Sequence, residues 1–379
     1  MPDLLLYGDT DRSAALRHEI PISIGDPLLY AETDGRRVIV ASSLETDRIA
    51  AVCPGAELLD DHDLGFLELL KSGLSRDEVV VEMTSRAVKQ IGVREAIVDF
   101  DFPLGMADRL RSDGVRLTVD EEAVAQRRRA KSPAELDGIR RAQRAAETGM
   151  AAAAELLRAA AQVDGDLQVN GRPLLAEDVR AVLREACADA GAPAPPDVIV
   201  ASVCQGTGHN PGVGPLPAGL PIQIDLWPCD ERSSCWADMT RTFVAGGEPP
   251  EEVRRQEALV REVFDAVRAT AGPGVTGREL HAVACDIFER EGYATQRSGP
   301  GEDEEEGFMF SLGHGIGLRV HEEPSLGQAG HSPLVEGDVI AIEPGLWKKD
   351  AGGVRFEDLL LITAGGCETL TDYPYELAP

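Results

Sequence analysis

The stretch "LPIQIDLWPCDERSSCWADMTRTFVAG", residues 220–246, decides how the chain is read. A second stretch repeats its layout: "GDVIAIEPGLW" (337–347), followed by "GGVRFEDLLLITAGG" (352–366). In each, an apolar strand pattern ends in a carboxylate, a connection follows, and a returning strand carries a second carboxylate, so each reads as a β-hairpin. Asp225 and Asp238 are 13 residues apart, Glu343 and Glu357 are 14, and the likeness suggests an internal pseudo-repeat. A lone strand carboxylate is commonly a strand-end or turn residue. Four of them, each after an apolar alternating run where a side chain is buried, are another matter: buried carboxylates need partners, and a cation is the strongest available. In paired antiparallel strands such residues can face one another across the hairpin.

A third stretch, "FSLGHGIGLRVHEEPSL" (310–326), holds two of the seven histidines. A dinucleotide loop needs G-x-G-x-x-G between a strand and a helix; "GHGIG" has the wrong spacing and "LRVHEEP" does not continue as a helix. A zinc-protease helix needs H-E-x-x-H, but His321-Glu322 is followed by Glu323 and by Pro324, which breaks a helix. No G-x-S-x-G nucleophile elbow occurs in the chain. What remains is a metal site assembled from distant segments. Asp225, Asp238, Glu343 and Glu357 with the imidazole of His314 form a hard, oxygen-rich set that suits two divalent ions such as manganese or cobalt, with two carboxylates bridging. The glycines beside His314 are expected to let the backbone come close to metal and substrate.

Around these stretches the chain divides. Residues 20–120 alternate short apolar runs with helical patterns, "PLLYAETDGRRVIVAS" reading as two strands about a Thr-Asp-Gly turn and "EAIVDF" as another, which predicts an α/β domain over residues 1–130. A second domain, 131–379, opens at "KSPAELDGIRRAQRAAE": Ser132 and Glu135 form a capping box, Pro133 fits the first turn, and the helical pattern runs to about Ala161. Further helices are expected near 175–190, 250–271 and 277–291, the last capped by Thr276 and Glu279. The polar segment "GPGEDEEEG" (299–307) reads as a solvated loop, with a gate over a nearby site as the alternative.

The formal net charge of −29, from 37 basic and 66 acidic residues, would repel a phosphate backbone, and no basic patch offsets it, so nucleic acid is not an expected partner. The amino terminus lacks the basic start of a signal peptide and no run of apolar residues is long enough to span a bilayer, which predicts a cytoplasmic protein with no membrane partner. Seven cysteines without a C-x-x-C pair are expected as reduced thiols, Cys229 and Cys235 being the one pair close in sequence.

The segments "IDLW", "ADMTRTF", "LGHGIG", "AIEPG" and "VRFED" together resemble, in order, the ligand segments of the pita-bread metallopeptidases, the family of methionine aminopeptidase, aminopeptidase P, Xaa-Pro dipeptidase (prolidase) and the metal-free relative creatinase. The resemblance extends to the amino-terminal segment, similar to that of the prolidase and aminopeptidase P branch. It implies an α+β fold: a pita-bread catalytic domain, two pseudo-symmetric halves around a curved antiparallel sheet, preceded by a smaller creatinase-like α/β domain. It also implies two metal ions, manganese before cobalt or zinc. Asp225 would chelate one ion, Asp238 and Glu357 would bridge, and His314 and Glu343 would hold the other. Glu343 would shuttle the proton of the attacking water, with His209 and His321 as further catalytic residues contacting substrate and with Phe310 and Arg355 lining the substrate site. The implied activity is hydrolysis of the bond between an amino-terminal residue and proline in a small peptide, by a homodimer.

Two departures qualify the resemblance. Phe310 stands where prolidases and aminopeptidase P commonly have histidine, which weakens the preference for Xaa-Pro, and the connection "CDERSSC" (229–235) makes the first hairpin longer than usual. A non-peptide amide or amidino substrate on the same scaffold is therefore the alternative, and a binding homologue that has lost turnover is a third reading.

Overall fold

The computed structural model describes residues 3–202, 209–301, 306–349 and 351–379. Residues 203–208, which include Cys204 and run up to His209, and acidic residues 302–305 lie outside the described residues. The chain divides into two units, Met1–Arg128 and Arg129–Pro379.

The first unit is built on a six-stranded mixed sheet in the order Glu57–Asp60, Arg36–Ala41, Leu28–Thr33, Asp3–Gly8, Glu95–Val98, Arg116–Val119. Asp34 and Gly35 both adopt positive φ, 47° and 76°, which gives the tight two-residue turn whose twist matches the hairpin on either side. Side chains alternate between two cores: Leu4, Leu6, Leu28 and Tyr30 pack on one face, Leu5, Leu29 and Ala31 on the other. Helices on both faces are thus required by the sequence alternation itself. The longest of them, Arg76–Ile91, begins at a Ser75/Glu78 capping box.

In the second unit, helix Pro133–Arg158 opens where Ser132 Oγ accepts from Glu135 N at 3.2 Å and Glu135 Oε2 accepts from Ser132 N at 2.8 Å. It ends three residues sooner than the sequence pattern suggests. From Ala161 the chain instead enters a small three-stranded sheet, Ala161–Val163, Asp166–Val169 and Arg172–Pro173. Its turns are Asp164-Gly165 and Asn170-Gly171, all four residues at positive φ between 53° and 92°; these are strong hairpin signals that the surrounding helix-forming alanines conceal. Helices Ala176–Asp189, Glu251–Thr270 and Gly277–Arg290 follow.

Each half of this unit pairs two helices with antiparallel strands. Pro133–Arg158 and Ala176–Asp189 share a core with strands Ile199–Ser202, Pro221–Leu226 and Met239–Val244. Glu251–Thr270 and Gly277–Arg290 share another with a five-stranded sheet ordered Glu322–Ser325, Gly313–Gly315, Val339–Ile342, Asp358–Thr363, Gly366–Thr369. The first sheet is stitched to a two-stranded ribbon, Gly345–Lys348 with Gly352–Arg355, and to the residues that lead from it into strand Asp358–Thr363: Glu357 N donates to Thr240 O at 3.0 Å, Arg355 N donates to Thr242 Oγ1 at 3.1 Å, and that hydroxyl donates back to Arg355 O at 3.1 Å. This is the pita-bread α+β architecture, and the four candidate carboxylates lie along the seam. Among the described residues, no helix is long and apolar enough to cross a membrane.

Candidate metal centre

Strand register explains how the carboxylates converge. In the first hairpin Asp225 pairs with Thr240, and Asp238, two residues before Thr240, projects from the same face. In the second, Ile342 pairs with Asp358 and Gly345 with Arg355. One register thus runs through the hairpin and sets Glu343 opposite Glu357, with Arg355 on their side. The long connection 229–235 does not disturb this, because its tip is tied down: Arg141 donates to both oxygens of Asp230, at 2.9 and 2.8 Å, and Asp230 also accepts from Ser233 N at 2.9 Å.

His314 enters from the middle of the five-stranded sheet, pairing with Ala341 on one side and Ser325 on the other. A Cβ on Gly313 would fall 1.9 Å from Ala341 O, and one on Gly315 2.2 Å from Glu323 O. The flanking glycines therefore admit the neighbouring strands. His314 Nε2 lies 3.7 Å from Asp238 Oδ2, 3.9 Å from Glu343 Oε1 and 3.9 Å from Glu357 Oε1. Its Nδ1 is 3.1 Å from Gly315 O, an arrangement that leaves Nε2 as the free nitrogen. Burial lowers the His314 pKa, so the imidazole is neutral and able to ligate at neutral pH.

The carboxylates are short of positive charge. The ligand atoms of Asp225, Asp238 and Glu357 lie within 4.8 Å of one another, as do those of His314, Glu343 and Glu357. At an effective dielectric of about 20, two like charges at 4.8 Å repel by roughly 3 to 4 kcal/mol. Burial, and then the neighbouring carboxylates, push Asp238 and Glu357 well above the ordinary carboxylate range. Glu343 is raised by burial and held back by Arg355. Asp225 Oδ1, Asp238 Oδ1 and Glu357 Oε1 are buried with no hydrogen-bond partner among the described residues. Orphaned oxygens of this kind, turned on one another, fit a divalent cation.

The other expected site residues fall as follows. Arg355, 7% exposed, reaches into the carboxylate cluster: its NH2 contacts Asp225 and donates to Thr240 Oγ1 at 3.1 Å, and its NH1 is 3.2 Å from Glu343 Oε2. In this arrangement it holds two of the carboxylates and supplies part of their counter-charge. His321 is exposed, with its ring edge-on to His314 at 4.3 Å. His209 is exposed too, while burial first and the neighbouring His314 next lower the pKa of His321. Phe310 is half-buried in an aromatic group, 4.9 Å from Phe308 and 5.3 Å from Trp347, and Trp347 packs over Gly345, opposite Arg355.

Two residues that the sequence reading passed over also belong here. Thr240 Oγ1 donates to Glu357 Oε2 at 2.8 Å, orienting that carboxylate. Arg241 points to the other side of the seam and is 1% exposed; it pairs with Asp358 at 2.9 Å and donates to Glu357 O at 2.9 Å and Pro374 O at 2.8 Å. An arginine in the middle of the strand pattern "MTRTFV" (239–244) was the available signal.

Residues 137–364 match metallopeptidase family M24. The Xaa-Pro dipeptidase of Pyrococcus furiosus is 40% identical over 141 residues, which is 37% of this chain and 37% of that protein. The chain's match thus spans little more than a third of that curated relative. The Bacillus subtilis protein YkvY is 29% identical over 342 residues, covering 86% of this chain and 84% of that one. In fold, the prolidase from Pyrococcus horikoshii aligns over 100% of this chain and 95% of its own with a TM-score of 0.76 at 24% identity. The dipeptidase PepE of Mycobacterium ulcerans aligns over 100% and 92% with a TM-score of 0.73 at 25% identity. The family match takes in more than half of the chain and contains every residue of the carboxylate seam, and on that basis the chain belongs to metallopeptidase family M24.

Proposed function

We propose that the protein is a dinuclear metal-dependent peptidase that removes an amino-terminal residue preceding proline, as an Xaa-Pro dipeptidase or Xaa-Pro aminopeptidase. The observation that carries this reading is the set of orphaned oxygens on Asp225, Asp238 and Glu357, facing His314 and Glu343. Asp225 would chelate one ion, Asp238 and Glu357 would bridge, and His314 with Glu343 would hold the second. Manganese suits so oxygen-rich a set best, with cobalt or zinc as alternatives. When bound, the ions supply charge neutralisation, an acidified water and polarisation of the scissile carbonyl.

The protein's own groups do the rest. Arg355 keeps the Asp225 and Glu343 carboxylates in place, and Thr240 does so for Glu357. Glu343 accepts the proton of the attacking water on a carboxylate oxygen and returns it to the leaving nitrogen. His209 and His321 contact the peptide backbone, and Phe310 with Trp347 offers an apolar wall to one of its side chains. The reading carries a cytoplasmic setting, which the free thiols of the six described cysteines support, and a homodimer, which sedimentation of the purified chain measures.

Purified protein with manganese is expected to release free amino acid from an Xaa-Pro dipeptide or an Xaa-Pro-Pro tripeptide, and Glu343→Gln to lose that activity by at least about a hundredfold. Equal release by both proteins would remove Glu343 from its role. Activity on neither peptide would favour a non-peptide amide substrate, the reading to which Phe310 and its aromatic neighbours lend weight.

A further inference from the structure

Two stretches far apart in sequence interlock beside His321. Lys131 Nζ is paired with Glu322 Oε1, and both side chains are only 3% exposed. Lys131 belongs to the segment that opens the second unit, and Glu322 follows His321 directly. The third participant is Gly317, from "LGHGIG". A Cβ there would lie 2.6 Å from Glu322 Oε1, 2.9 Å from Lys131 Cε and 3.0 Å from Lys131 Nζ. The absent side chain of residue 317 is the notch in which the ion pair sits.

The lysine end of the pair is fixed. Lys131 N donates to Gly337 O at 3.1 Å. Two residues earlier, Arg129 Nε donates to Asp338 Oδ1 at 2.9 Å and its NH2 to Pro333 O at 3.0 Å, while Asp338 Oδ2 accepts from Val335 N at 2.8 Å. Arg129 and Asp338 are 2% and 0% exposed. Asp338 immediately precedes strand Val339–Ile342, which delivers Glu343. The carboxylate end is in strand Glu322–Ser325, with Glu322 opposite Gly315. A rigid line therefore runs from the strand bearing Glu343, through Arg129 and Lys131, to the residue that carries His321 on its amino side.

A buried ion pair is a poor source of stability, since an apolar pair of similar volume commonly serves the fold as well. What it adds is direction, because a carboxylate held by a fixed ammonium has one position where an apolar side chain has several. We propose that Lys131, through its buried pair with Glu322 in the notch over Gly317, is a positioning residue that holds His321 at the substrate site. This rests on the reading of His321 as a substrate contact.

The test replaces the pair by apolar volume, Lys131→Met/Glu322→Leu, and restores charge alone with Lys131→Arg. The double variant is expected to keep its melting temperature and bound manganese. It should nevertheless raise KM for an Xaa-Pro dipeptide, lower kcat/KM by about tenfold and speed backbone hydrogen exchange in residues 318–326. Lys131→Arg should recover most of the loss. In the His321→Ala background the double replacement should cost nothing further, because the two act through one group. Losses that add to those of His321→Ala would overturn the proposal, and so would unchanged exchange at 318–326 in the folded double variant. If wild-type protein cleaves no Xaa-Pro peptide, the substrate reading fails, and the exchange measurement still decides whether the pair positions His321.

Discussion

Asp238 and Glu357 show at the level of single residues why this centre needs a cation. Their carboxyls are raised by burial first and by the surrounding carboxylates second. A folded-state pKa above the unfolded value of about 4 means that the folded, metal-free chain binds more protons than the unfolded chain across the interval between the two. The stability that goes with that proton uptake is present below the unfolded pKa and is lost as pH rises through the raised folded values. Chelated protein is therefore expected to melt at a lower temperature at about pH 8 than at about pH 5. Manganese should reverse the trend, because the deprotonated carboxylates are then the ligands and the folded state alone binds the ion. Thermal scans at the two pH values, with chelator and with manganese, read this directly; a chelated protein equally stable at both would contradict the raised values.

Among the elements, the seam between strand Met239–Val244 and residues 355–357 carries the account. It is closed on the metal side by Thr240 and on the other by Arg241, whose guanidinium also lies 4.7 Å from the Tyr375 ring centroid. Arg241→Met takes the guanidinium from Asp358, buried at 1% exposure, and leaves it the Tyr375 hydroxyl and the more distant Arg268, a change expected to cost about 3 kcal/mol in denaturant unfolding. A loss under about 1 kcal/mol would mean that the seam is held by its backbone bonds alone. Much of this level was legible in the sequence. Asp225, Asp238, Glu343 and Glu357 stand out because each follows an apolar alternating run, and the helices at 133, 251 and 277 announce themselves by caps and periodicity. The small sheet at 161–173 was hidden because alanine-rich helix propensity ran up to it, although its Asp-Gly and Asn-Gly turns were in plain view. Arg355 was expected at the substrate site, but what it and Lys131 hold was opaque for another reason: their partners Asp225 and Glu322 are 130 and 191 residues away, and a charged side chain looks solvated until tertiary structure buries it.

For the whole molecule, the formal charge of −29 and the carboxylate seam are separate facts. The first governs solubility and salt response; the second is a local concentration of buried charge that has, among the described residues, Arg355 set against it. On the proposed function, this seam is a two-ion site made by Asp225, Asp238, His314, Glu343 and Glu357. Its most direct test is calorimetric titration of chelated protein with manganese, set beside the same titration of Glu357→Gln, which alters one of the two bridging carboxylates. The account predicts two equivalents bound per chain, and loss of at least one of them in the variant. No binding by the wild-type chain, or identical binding by both proteins, would contradict it.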